Sequence, residues 1–319
     1  MACLRALGCY LPARIVANEE IAAMTGADPA WIAQMTGIAE RRFAAPDESV
    51  EDLGVRAAQD CLNSAGLDAR EVGMVIAASG SAERRFPGPA APIAERLGAA
   101  GVPAIDLPMA SAGSVFGLAL AARLCPSYGN VLVVGAEIMS RVVRFEPAHR
   151  DTAILFGDGA GACLVSPDSG FAEVVDSQLG SDGALAGALR LDLDAPLHME
   201  GRAIILHASR KLPRVIADLL ERHGRKPAEI AAYLLHQANR NLIDRVAGAL
   251  GAEPALFFHN LERYGNTSSA SLLIALAEWR GAERQPLSQH VALGAFGAGL
   301  NWGAILLGPP PPPKLDHKV

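Results

Sequence analysis

AIDLPMASAGSVFGL, residues 104–118, decides how this chain reads. A β-like run ends in a Pro and small residues, and Ser111 then opens an apolar helix of Ala, Val, Phe and Leu. A side chain at that junction sits at the positive end of a helix macrodipole, where developing negative charge is favoured. The commonest use of a serine there is to cap the helix. The other use is as a nucleophile. An alcohol then needs a partner base, whereas a cysteine thiolate at a helix N-terminus is largely self-activated.

Working outward, strand-like and helical runs alternate along the chain, which argues for an α/β architecture. ESVEDLGVRAAQDCLNSAG is the clearest helix, with Ser49 and Asp52 at capping-box spacing, an apolar face of Val50, Leu53, Ala57, Cys61 and Leu62, and Gly66 as its stop. Met74–Ser79 and Asn130–Ile138 read as strands, and a Pro-rich entry leads into Ile93–Leu97. The second half repeats the grammar: a strand end at Tyr233–His236, a helix Asn239–Leu250 closed by Gly251, a strand Leu256–His259, and a small-residue turn into a helix Thr267–Trp279. The strand–turn–helix at Asn266 is thus the positional counterpart of the one at Ser111. Two diverged copies of one unit are expected, residues 1–168 and 169–308, an expectation carried mostly by the family resemblance given below, followed by a disordered Pro-rich tail at 309–319.

The 319 residues, half of them apolar, suffice for a large core, and with aromatics at 5% it must be built from Ala, Val, Leu and Ile. The formal charge of −6 argues against a nucleic-acid binder. The five cysteines show neither CxxC pairing nor a histidine at metal spacing, so no metal is expected. Four fall in apolar patterns, and Cys125, before Pro126, is the one whose position hints at exposure. No apolar run reaches the roughly 18–20 residues of a membrane span, and Arg5 and Arg14 flank a stretch too short and interrupted for a signal peptide. A cytoplasmic protein is expected.

Four further segments stand around the Ser111 stretch in order: WIAQMTGIAERR at 31–42, FGDGAGA at 156–162, LLHQANR at 234–240 and YGNTSSAS at 264–271, with GAFGAGLNWG at 294–303 closing the series. Together they resemble β-ketoacyl-acyl carrier protein synthase III, of the thiolase superfamily, from about residue 1 to residue 308. Ser111 stands where that family has its reactive cysteine. The resemblance implies a thiolase-like fold of two similar βαβαβαββ halves in a layered α-β-α-β-α structure.

It also implies roles. Ser111 would carry the acyl group. His236 and Asn266 would hold the thioester oxygen of the extender unit and stabilise the enolate left by decarboxylation, as two fixed donors aimed at charge that appears in the transition state. The backbone N–H groups of Ser111 and Ala298 would form the oxyanion hole of the acyl-enzyme, in the small-residue loop Gly297–Gly299. Trp31 and Arg150 stand where the family stacks on and pairs with coenzyme A, and Phe86 where it closes the acyl pocket of a neighbouring subunit in a homodimer. No tightly bound cofactor is implied; the substrate would be a thioester of coenzyme A or of acyl carrier protein. As base for Ser111, His236 comes first, then His198 and His207.

Departures from the family pattern matter equally. Met35 and Asn241 occupy positions where an arginine commonly grips the cofactor. The helix after His236 lacks a paired-lysine patch for an acidic carrier protein; Arg210, Lys211 and Arg214, with Arg222, Arg225 and Lys226, offer a substitute basic surface. The expectation is an acyltransferase or ketosynthase acting through acyl-Ser111 in polyketide or specialised lipid biosynthesis. Its rivals are a non-catalytic thioester-binding homologue and a Cys-to-Ser variant of an ordinary fatty-acid-initiating synthase.

Overall fold

The computed structural model describes residues 1–281 and 285–311. Most of the Pro-rich tail, residues 312–319, lies outside the described residues.

Among the described residues, nine strands form the main sheet: β1 (Cys3–Tyr10), β2 (Val72–Ala78), β3 (Ala104–Leu107), β4 (Asn130–Ile138), β5 (Asp158–Ser166), β6 (Ala172–Ser181), β7 (Ala232–Leu235), β8 (Val291–Gly297) and β9 (Asn301–Gly308). Their spatial order is β7-β8-β9-β6-β1-β5-β4-β2-β3. In the first half, β2 pairs parallel with β3 and β4, and β5 runs antiparallel to both β4 and β1. The second half repeats that pattern, with β7 parallel to β8 and β9 antiparallel to β8 and β6. A short β1–β6 ladder, Cys3 opposite Glu173 and Leu4 opposite Ala172, joins the two.

The counterpart of edge strand β3 is the segment around Phe257, which makes one parallel bridge to Tyr233. The strand expected at Leu256–His259 is therefore reduced to that bridge, and Pro254–Leu256 forms a 3-10 turn instead. The Phe257 ring stacks on Tyr233 at 4.5 Å, so packing holds the segment where a ladder would have.

Helices cover both faces. α1 (Pro29–Thr36) comes first, and α2 (Val50–Ala65) carries the expected Ser49–Asp52 capping box and a left-handed Gly66 stop. α3 (Gly113–Tyr128) and α6 (Ser271–Arg280) lie between the two halves of the sheet, touching strands of both, while α4 (Gly201–Arg222) and α5 (Arg240–Leu250) pack on the outer face of the second half. The layers run α-β-α-β-α. Gly161 is the small seat that lets α6 close on β5: a Cβ there would stand 2.6 Å from the Leu273 side chain.

Three local expectations are corrected. α3 opens at Gly113 with Ala112 as its N-cap, so Ser111 stands just outside the helix with φ +65° and its hydroxyl caps nothing. The helix expected from Thr267 starts at Ser271, after a 3-10 turn over Ser268–Ala270. Cys125 is fully buried, because α3 continues through Pro126 to Tyr128; Cys9 is the partly exposed cysteine.

Candidate active site

A cavity of about 390 Å³ runs inward from Trp31, Met35 and Arg150 at its mouth to Ser111, His236 and Asn266 at its floor. Between them the wall is apolar, with Phe156, Leu189, Ile204, Leu242 and Phe296. The fold brings these three side chains together from both halves.

Ser111 follows β3 at a positive φ, a conformation that non-glycine residues adopt sparingly and that gathers at functional sites. Its N–H donates to Ser268 Oγ at 3.0 Å. Gly297 backs it from β8: a Cβ there would lie 2.2 Å from the Ala110 carbonyl oxygen and 2.8 Å from Ser111 Cβ. Ala298 follows in the turn to β9, where Asn301 Nδ2 donates to its carbonyl at 2.5 Å.

His236 follows directly on β7, its N–H donating to the Gly294 carbonyl at 2.8 Å. Burial without a neighbouring carboxylate pushes its pKa down to about 3, so the ring is neutral at ordinary pH. The rest of its motif is scaffolding. The Gln237 amide donates to the Leu235 and Phe258 carbonyls and accepts from Asn260 N–H, which fastens the residual edge segment. Asn239 caps α5 and also donates to the Met35 carbonyl.

Asn266 is held by its backbone between the Leu155 carbonyl and Gly157 N–H, a bridge beside Phe156. This explains FGDGAGA: Gly157 leaves room for the Tyr264 carbonyl, and the buried Asp158 carboxylate accepts from Ala44 N–H, Ser140 N–H and Ser140 Oγ. The Asn266 side-chain oxygen accepts from Ser268 N–H at 2.9 Å, which leaves the amide NH2 as its group facing the cavity.

Other expected residues fall variously. Arg150 lies over the Trp31 ring at 5.4 Å. Asn241 has a structural duty, its amide donating to the Gln34 and Met35 carbonyls and so tying α5 to the end of α1. Phe86 is 85% exposed and outside this cavity. His198 and His207 do not line it, and His198 pairs with Glu200. The substitute basic surface is partly neutralised, because Lys211 pairs with Asp182, Arg214 with Asp218 and Arg222 with Asp176.

Sequence reasoning missed Glu137, Ser268 and Ser271. Glu137 on β4 is fully buried and accepts from Ser79 Oγ, Gly80 N–H, Ser81 N–H and Oγ in its own half, and from Ser269 N–H and Oγ in the other. A carboxylate inside the apolar run NVLVVGAEI was the available signal.

A serine on a strained turn, a buried imidazole and an amide together at the floor of an apolar tunnel, on this layered fold, fit an acyl-transferring condensing enzyme. The comparisons agree. Residues 105–183 match the profile of 3-oxoacyl-[acyl-carrier-protein] synthase III, and residues 220–308 that of its C-terminal part. The chain is 38% identical to the β-ketoacyl-[acyl-carrier-protein] synthase III of Oleidesulfovibrio alaskensis, over 94% of this chain and 96% of the relative. The same-named protein of Gloeobacter violaceus is 37% identical, with the same coverage. Among solved structures, the Aquifex aeolicus synthase III superposes with a TM-score of 0.92 at 34% identity, covering 97% of this chain and 100% of that one. The priming β-ketosynthase of the R1128 polyketide pathway superposes at 0.89 with 32% identity, covering 98% and 97%. This chain belongs to the β-ketoacyl-acyl carrier protein synthase III family.

Among the described residues, no helix is long and apolar enough to cross a membrane.

Proposed function

We propose that this synthase III-type acyltransferase works through an ester on Ser111, drawn from a thioester of coenzyme A or of acyl carrier protein. The observation that carries this is Ser111 itself, held outside the helix at φ +65° with its hydroxyl opening onto the cavity. Ser111 Oγ attacks the thioester carbon, the C–S bond breaks, and the serine proton leaves with the thiol. The carbonyl oxygen takes its hydrogen bonds from Ala298 N–H and, shared with Ser268 Oγ, from Ser111 N–H.

His236 and Asn266 then act on the second substrate, as donors to the oxygen of an enolate released by decarboxylation. The Trp31–Arg150 pair at the mouth suits a nucleotide or phosphopantetheine end, one stacking and one charged. Exposed Phe86 lies in the loop before Gly88, which packs closely on Asp106 of edge strand β3; that arrangement supports a homodimer in which Phe86 closes the partner's acyl pocket. An oxoester is a poorer electrophile toward a carbanion than a thioester, which favours priming of a specialised polyketide or lipid, or transfer to another acceptor, over routine fatty-acid initiation.

Incubation with a panel of short acyl thioesters tests this by intact-protein mass and peptide mapping. The acyl mass is expected on the peptide containing Ser111 and lost in Ser111→Ala. Label persisting in that variant, or found on the partly exposed Cys9, overturns the reading.

A further inference from the structure

We infer that Ser271 is a positioning residue that fixes which ring nitrogen of His236 carries the hydrogen. Its hydroxyl oxygen lies 2.5 Å from His236 Nδ1 and accepts from Gln237 N–H at 3.2 Å. A hydroxyl has one hydrogen to give and two lone pairs to receive. With the Gln237 N–H received, the Ser271 hydrogen has one acceptor within bonding distance among the described residues, and that is Nδ1. Ser271 is 2% exposed, which shields its hydroxyl from bulk solvent.

Nδ1 therefore accepts, and the single ring hydrogen of the neutral imidazole stands on Nε2, the nitrogen that opens onto the cavity. His236 and Asn266 present two N–H donors to one space. In this tautomer Nε2 has no lone pair to take the Ser111 proton, so the expected general-base role passes away from His236 and the proton leaves with the thiol. Ser271 owes its place to the 3-10 turn at Ser268–Ala270, which delays the start of α6 and sets the hydroxyl beneath the ring.

This inference rests on the reading of His236 as a donor to the second substrate, and its test separates the two. Nitrogen NMR of protein labelled in its histidine rings, with His236→Gln assigning the resonance, reads the tautomer directly. Wild type is expected to show the hydrogen on Nε2, Ser271→Ala a mixture of both tautomers, and Ser271→Thr a return toward the first. Decarboxylation of a malonyl thioester should fall about tenfold in Ser271→Ala, less than the loss of a whole donor, and recover in Ser271→Thr. A hydrogen on Nδ1 in wild type overturns the inference, and so does an unchanged ring pattern in Ser271→Ala. If the tautomers behave as expected while no variant decarboxylates, the Ser271 assignment stands and the proposed function fails.

Discussion

Ser111 and Ser268 occupy equivalent turns in the two halves, each before the helix that its half sends into the middle layer. Both are non-glycine residues at positive φ, +65° and +47°, and they touch through the Ser111 N–H to Ser268 Oγ hydrogen bond. Yet one turn presents a hydroxyl to the cavity, and the other turns its hydroxyl inward and presents Asn266 from two residues upstream. The strained backbone is common property of both copies. The difference lies in which side chain each turn sets toward the tunnel.

The comparison is broken most severely from the second half. His236→Ala and Asn266→Ala are each expected to cost about 10²–10³ in decarboxylation, the range for removal of one pre-organised donor. Ser111 acylation, followed by mass, should survive Asn266→Ala. Equal loss of both activities in that variant would show that the turns do not divide the labour.

From the first turn, Ser111→Cys should raise the ratio of β-ketoacyl product to free acid, since a thioester is the better electrophile and the helix N-terminus helps ionise the thiol. A wild type that condenses as well as its Cys variant refutes the claim that serine disfavours condensation.

The seam between the turns gives a smaller effect. Glu137→Gln sets an NH2 against buried donors and should lower stability by about 1–3 kcal/mol, read by urea unfolding. No change in the midpoint would mean that the carboxylate is dispensable.

A further effect is on pH. Burial lowers the His236 pKa from 6.5 to about 3, and that of His259 from 6.5 to about 4. The unfolded chain then binds more protons than the folded one below pH 6.5. Stability is present in full above 6.5 and declines as pH falls toward those values. His236→Gln should flatten part of that slope in a melting series; an identical slope would sink the assignment.

The main architecture and the tunnel floor were legible because capping signals, buried strands and five motifs lie in continuous segments. What escaped was long-range. Ser271 sits 35 residues from the ring that it orients, and Ser269 sits 132 from Glu137, so neither partner is visible from the other's neighbourhood. The edge strand at Leu256–His259 failed for a different reason: its apolar pattern is satisfied by stacking on Tyr233, and pattern alone does not separate that from a ladder. Asn241 shows the reverse, a missing charge replaced by a bond between helices.

Glu137 also sets a clock on synthesis. Four of its six donor groups are available once the first half has left the ribosome, and the remaining two arrive with Ser269, 132 residues later. Until then the nascent first half holds a carboxylate whose solvent-free berth is incomplete, and water must remain beside it. The first half therefore stays unsealed at this carboxylate until Ser269 reaches it.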